Sequence, residues 1–296
     1  MKISELPKIS LDDIYWNLVF GKSKRRATIL ELRKSNFRDL PPPVFFLSPG
    51  RSGTKWFANL MAHNKSLKAF HEPRPNLGLQ GKLAYENYKT YEFTLRDELS
   101  KLVKELFITG REQILRYSFK TGKRYVETNN QITFFAPALA ELFPNALFVH
   151  LNRHPGDFVR SAVRRSFYKN NVEDLKRIAP IKGSPEFEKW DGFSEIAKNA
   201  WLWKETNEFI ESFKRPLPDN RIMYYDFTNN TPEQLNQLLE FLKIKISFSK
   251  IEGLIGQRKN IQRKGSFENY PDWPEEKKSE LEGICGKLAK KYGYKL

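Results

Sequence analysis

The chain carries a single cysteine, Cys285. That excludes an internal disulfide framework and a zinc site built from cysteines alone. No apolar run approaches the roughly 18 residues that a membrane-spanning helix needs, so a spanning helix is excluded as well. The opening Met1-Lys2-Ile3-Ser4-Glu5-Leu6-Pro7 lacks the apolar core of a secretory leader, and the expectation is a cytoplasmic protein. Histidine is scarce: His150 and His154 are too sparse a signal for a metal site, and none is expected. There is no internal repeat and no low-complexity tract, which argues against a repeat array.

What is present is an ordinary globular composition, 40% hydrophobic and 29% charged, over 296 residues. That length can bury a sizeable core and suits one large α/β domain or two smaller ones. The formal charge is +16. An excess of this sign suits an anionic partner: nucleic acid, a phosphorylated cofactor, an acidic polysaccharide or a membrane surface. It does not choose among them, and solvated lysine faces account for such an excess equally well.

Residues 1–40 are mixed and charged, and are expected to form an N-terminal arm packed on a main domain of residues 41–296. Pro41-Pro42-Pro43 ends the arm, because proline removes donors and restricts the residue before it. Val44-Phe45-Phe46-Leu47 then reads as a buried strand. A turn occupies 48–53, and from Thr54 the spacing of Phe57, Leu60 and Met61 predicts a helix. A helical stretch at 137–143 leads into a second strand at 146–151. Pro155 fits the first turn of the next helix, with Phe158, Val159, Ala162 and Val163 on its inner face. A third strand is expected at 221–225. Thr231-Pro232 starts a helix with the stripe Leu235, Leu238, Leu239 and Leu242, and the last helix presents Leu281, Ile284, Cys285, Leu288 and Ala289. Strands alternating with helices predict an α/β fold with a central, mainly parallel sheet flanked by helices. Ligands of such sheets bind at the carboxyl ends of strands, where the turns at 48–53 and 152–155 should lie.

The first turn reads Ser48-Pro49-Gly50-Arg51-Ser52-Gly53-Thr54-Lys55-Trp56. Glycines let backbone N–H groups face an anion, and a helix N-terminus adds partial positive charge. Arg51 and Lys55 add full charges; Ser52 and Thr54 add hydroxyl donors. The loop fails the Walker pattern, since Lys55 stands where the second glycine belongs and no Ser or Thr follows the lysine. The second turn reads Asn152-Arg153-His154-Pro155-Gly156-Asp157, with Ser161 eight residues after Arg153. An arginine at a strand end can fork onto a phosphate, and a serine two turns into the helix can approach the same anion if the arginine folds back. Arg160, Arg164 and Arg165 thicken the positive field, although the last two read most simply as solvated surface charge.

Gly50-Arg51-Ser52-Gly53-Thr54-Lys55-Trp56 resembles the 5′-phosphosulfate loop of sulfotransferases, and Arg153 with Ser161 resembles their 3′-phosphate motif. The resemblance spans roughly residues 43–168, in the family's order, and echoes again at Arg263-Lys264-Gly265, similar to a late basic-glycine loop on the 3′-phosphate. It implies a P-loop-NTPase-like sulfotransferase fold. It implies 3′-phosphoadenosine 5′-phosphosulfate as donor, released as adenosine 3′,5′-bisphosphate, with no metal. By position, Arg51, Ser52, Gly53, Thr54 and Lys55 would hold the 5′-phosphosulfate, Trp56 would stack on adenine, and Arg153 and Ser161 would hold the 3′-phosphate. Arginine at 51 fits bacterial-type members rather than the cytosolic animal ones, and the animal dimerisation motif is not recognisable. The resemblance leaves oligomeric state and acceptor open; the acceptor is expected to be a small molecule or carbohydrate rather than nucleic acid.

Sulfuryl transfer demands positioning and fixed positive charge near the leaving phosphate, roles that suit Arg51 and Lys55. A general base should deprotonate the acceptor. The candidates are His71 and Glu72 in Phe70-His71-Glu72-Pro73. Glu72 matches the place where many bacterial-type members carry a catalytic glutamate before proline. Glu127 is a further candidate, and His63 reads as a helix-end residue. Tyr85, Tyr88, Tyr91, Phe134, Phe135, Trp201 and Trp203 are candidate pocket aromatics, though core packing accounts for most. Two other readings compete: a basic polyanion-binding protein without catalysis, and a small-molecule kinase with a degenerate phosphate loop.

Overall fold

The computed structural model describes residues 41–90, 93–247, 251, 253 and 266–296. The expected arm at 1–40, Tyr91 and the Arg263-Lys264-Gly265 segment lie outside the described residues. The described part is a five-stranded, all-parallel sheet with helices on both faces. The strands are β1 (Val44–Leu47), β2 (Leu67–Phe70), β3 (Arg124–Glu127), β4 (Leu147–Asn152) and β5 (Ile222–Asp226). Their spatial order is β2-β3-β1-β4-β5.

The apolar run of β1 is buried on both sides because alternate residues feed different layers. Phe45 and Leu47 pack with Phe107, Phe135, Phe143 and Phe148. Val44 and Phe46 pack with Trp56, Phe57, Leu60, Val149 and Tyr225. The first layer includes α3 (Phe93–Lys120) and α4 (Ala136–Leu142); the second includes α1 (Thr54–Met61) and α7 (Pro232–Phe241). A third cluster joins α5 (Pro155–Val163), α6 (Glu195–Lys214) and α8 (Glu275–Lys291), with Cys285 buried in it. Helix α2 (Gly78–Thr90) follows β2.

Chain order and spatial order diverge at β1. From this strand the chain runs to the β2 edge, returns through β3, then crosses to β4 and β5 on the other side. The loops leaving β1 and β4 therefore part at a topological switch point, where an open α/β sheet forms its crevice. Register brings them level, with Leu47 opposite His150.

The three strands expected from the sequence occur within a residue of their expected bounds; β2 and β3 were not foreseen. Strand β2 offers two apolar ends around Lys68-Ala69. Strand β3 carries Arg124 and Glu127, and Glu127 is wholly buried. Helix starts follow local chemistry. Thr231 caps α7 by accepting from the Gln234 N–H, with proline next, and Ser194 caps α6 through the Ala197 N–H.

Candidate active site at the ends of β1 and β4

The turn at 48–53 is braced by its own hydroxyls. Ser48 Oγ accepts from the Gly50 N–H at 3.0 Å, and Ser52 Oγ donates to the Gly50 carbonyl at 2.9 Å. Thr133 locks the first residue twice: its Oγ1 accepts from the Ser48 N–H and donates to the Ser48 carbonyl, each at 3.0 Å. Gly53 sits at φ 91, and a Cβ there would lie 2.5 Å from the Phe227 ring. The position therefore requires glycine both for its backbone and for space. Gly53 precedes α1 and has no side chain to cap it, so among the described residues the first-turn N–H groups face outward uncapped at the positive end of the helix dipole. Thr54 is buried within that turn, and Lys55 is exposed beside it.

Arg51 projects from a left-handed backbone (φ 52) and donates from Nε to Ser161 Oγ at 3.0 Å. The two sequence motifs are thus joined by a direct hydrogen bond, and the Ser161 hydroxyl keeps its own hydrogen for another acceptor. Burial pushes the Arg51 guanidinium down to about 10, helped by the fields of Arg165, Arg153 and Arg177 and opposed by Glu72. It stays charged at neutral pH, in a cluster of like charges that an anion would relieve. Arg165 is exposed, as expected of a surface charge, and its field adds to the positive cluster around Arg51.

Arg153 leaves the end of β4 with its backbone fixed. Its N–H donates to Asn152 Oδ1 at 2.8 Å, and its carbonyl accepts from Trp203 Nε1 at 2.9 Å. Its Nη1 approaches the Arg51 carbonyl at 3.4 Å. Its Nη2 and Nε donate to Asp157 Oδ2, at 3.0 and 3.3 Å. Asp157 is a partner the sequence reading missed, although its position four residues after Arg153 on a helix start was the available signal. The pair is 29% and 36% exposed, so the guanidinium is shared with solvent rather than sealed against the carboxylate.

Trp56 is 5% exposed; its ring meets Phe57 and Phe227 edge-on at 5.0 and 5.9 Å. It is mostly a core residue, so little of its ring is open to the stacking that the family resemblance implies. Phe227, unremarked in the sequence, covers both Gly53 and Trp56.

His71 and Glu72 follow β2. The carbonyl of Thr128 can only accept, so the His71 Nδ1 3.0 Å away carries the proton. The other ring nitrogen, Nε2, lies 3.9 Å from Glu72 Oε1. Glu72 has a left-handed backbone (φ 47), is about half exposed, and acts electrostatically on Arg51. Glu127 is spent on structure. Its carboxylate accepts from Arg111 through Nε and Nη2, from the Tyr125 hydroxyl at 2.5 Å and from Asn129 at 3.0 Å, with Arg111 and Glu127 both wholly buried. It has no open path to a substrate. His63 is exposed in the turn after α1. Phe135, Trp201 and Trp203 belong to the core, and the Tyr85 hydroxyl is held by Glu205. Phe134 differs: with Ser48, Pro49, Lys82, Arg177 and Thr206 it lines a cavity of about 30 Å³ behind the loop.

A model of the sulfotransferase family matches residues 42–248 of the chain. No curated protein matches the sequence. Among solved structures, the chain resembles the sulfotransferase domain from the Synechococcus PCC 7002 olefin synthase, with 15% identity over 89% of this chain and 98% of that one and a TM-score of 0.50. It also resembles the sulfotransferase domain from the curacin biosynthetic pathway (19% identity, 87% and 99% covered, TM-score 0.47). A third likeness is to sulfotransferase STF1 from Mycobacterium tuberculosis H37Rv (13% identity, 83% and 78% covered, TM-score 0.48).

Proposed function

The chain belongs to the sulfotransferase family, and from that premise we propose that it moves a sulfuryl group from 3′-phosphoadenosine 5′-phosphosulfate to a hydroxyl or amine of a small-molecule or carbohydrate acceptor. The observation that carries this reading is the meeting of the two turns. Arg51 is hydrogen-bonded to Ser161, and Arg153 reaches the Arg51 carbonyl, at the carboxyl ends of adjacent strands.

In this reading the first-turn N–H groups of α1, the Ser52 backbone N–H, Thr54 and Lys55 receive the 5′-phosphosulfate above Gly53, while the Ser52 hydroxyl stays on the Gly50 carbonyl. Arg153 and Ser161 receive the 3′-phosphate, and the guanidinium exchanges the Asp157 carboxylate for a phosphate that carries more charge. Adenine would lie against Phe227 and what little of Trp56 is exposed. The Arg263-Lys264-Gly265 segment would add to the 3′-phosphate site.

In the transfer step the acceptor O–H or N–H gives its proton to the Glu72 carboxylate. The freed lone pair forms a bond to sulfur, and the bond from sulfur to the 5′-phosphate oxygen breaks in line. Both electrons of that bond leave with adenosine 3′,5′-bisphosphate. Arg51 and Lys55 stabilise the charge that builds on the departing phosphate. His71, whose Nε2 lies 3.9 Å from Glu72 Oε1, is the alternative base or a relay to solvent.

Incubation with the donor and a panel of alcohols, sugars, phenols and amines tests the reading. Adenosine 3′,5′-bisphosphate should appear in step with a sulfated acceptor. Magnesium-dependent turnover of ATP in place of this would make the chain a kinase, and salt-sensitive polyanion binding that survives loss of Arg51 would make it a binding protein.

A further inference from the structure

The 3′-phosphate arginine stands on a turn whose supports come from the far end of the chain. Helix α8 ends in a glycine-closed cap: Gly293 lies at φ 81, its N–H donates to the Lys290 carbonyl, and the Tyr294 N–H donates to the Ala289 carbonyl, each at 3.0 Å. This closure turns residues 294–296 back across the carboxyl ends of β4 and β5. Tyr294 is 8% exposed, and its hydroxyl donates to Asp226 Oδ1 at 2.6 Å. Asp226 ends β5 directly opposite Asn152. The same carboxylate accepts from the Thr228 N–H at 2.9 Å and from Asn229 Nδ2 at 2.7 Å, which shapes the turn after β5. The product of that turn is a hydroxyl in the right place: Thr228 Oγ1 accepts from the His154 N–H at 2.7 Å.

The second support is the His154 ring. Its Nδ1 accepts from the Gly156 N–H at 3.1 Å and so caps α5. The proton is therefore on Nε2, which donates to the Lys295 carbonyl at 3.0 Å. Serine, threonine or aspartate would cap this helix without outside help. Histidine does so while also gripping the tail. Tyr294 and Tyr270 flank the ring, at 5.4 and 4.8 Å. Trp203, which holds the Arg153 carbonyl, also packs edge-on against Tyr294.

We propose that residues 293–296 are a positioning element for the donor's 3′-phosphate: through Tyr294–Asp226–Thr228 and Lys295–His154 they fix the turn from which Arg153 projects. This rests on the assignment of Arg153 to that phosphate. A long arginine side chain recognises a phosphate only as well as its backbone is held, because mobility at its base multiplies along the chain. The tail lies beyond the family-matched segment.

The test compares two nucleotides that differ only in the group at issue. Affinities of adenosine 3′,5′-bisphosphate and adenosine 5′-monophosphate are measured by calorimetry for the full chain, for Tyr294→Phe and for a chain ending at Tyr294. The full chain should prefer the bisphosphate. Both variants should lose about tenfold of that preference, the weight of one charge-assisted hydrogen bond, with the monophosphate affinity within about twofold of the parent. Circular dichroism and melting temperature establish that each is folded, and the truncation serves if Tyr294→Phe does not fold. An unchanged preference in the folded variants overturns the proposal. So does equal weakening of both nucleotides, which marks general structural damage. A full chain with no preference at all overturns the Arg153 assignment and the proposal together.

Discussion

Asp157→Asn gives an informative perturbation because two consequences have opposite signs. Asp157 holds Arg153 through two contacts to one oxygen, and the pair is roughly one-third exposed. Exposed pairs of this kind contribute about 0.2–1 kcal/mol. The bisphosphate must displace or share that contact, so neutralising Asp157 should tighten adenosine 3′,5′-bisphosphate binding by about 1.4- to 5-fold. The gain should shrink as salt rises and screens the pair. Asp157 also lies in the first turn of α5, where a negative charge favours the helix by about 0.3–1 kcal/mol. The free protein should therefore melt about 1–3 °C lower. Calorimetric titration at two salt concentrations, with a melting curve of the free protein, reads both effects. Weaker binding in Asp157→Asn would show that the carboxylate orients Arg153 rather than competing for it, and the displacement argument would fail.

Other outcomes follow from the same geometry. Arg51→Ala should lower kcat/KM for the donor by about 10²–10³, as for a lost oxyanion donor, and a loss under threefold removes Arg51 from the transfer step. Glu127→Gln strands a wholly buried arginine and should cost about 3–5 kcal/mol in denaturant unfolding; a stable but inactive variant would instead make Glu127 the base. His150 is sealed in the core, and burial pushes its imidazole down to about 4. The unfolded chain then binds a proton that the folded one refuses. Stability should be full above about pH 6.5 and fall as pH drops from there toward 4, and a variant lacking the imidazole, such as His150→Asn, should flatten that dependence. An unaltered acid limb would show that other groups set it.

The parts of the fold that could be read in advance were those in which local chemistry and burial agree. Strand β1 is an unbroken apolar run, and α5 and α7 announce themselves by proline and apolar spacing. Strand β3 was hidden because its last residue is charged and wholly buried, paired with an arginine sixteen positions away that no local pattern reveals. At the candidate site, the closeness of Arg51, Arg153 and Ser161 was legible because both turns follow strands of one parallel sheet, and the structure brings the three residues together. The Arg51–Ser161 hydrogen bond was not, since the sequence suggested Ser161 beside Arg153. Phe227, Asp226 and Tyr294 were invisible for a different reason: an aromatic or a carboxylate carries no motif until the sheet brings three distant segments to one edge.

Adenosine 3′,5′-bisphosphate bridging the two turns is the central claim, and a thermal titration with this nucleotide addresses it most directly. At a hundredfold excess over its dissociation constant, the nucleotide should stabilise the protein by about 2.7 kcal/mol, and most of that shift should vanish in both Arg51→Ala and Arg153→Ala. No stabilisation of the parent protein, or a shift that neither substitution reduces, contradicts the account.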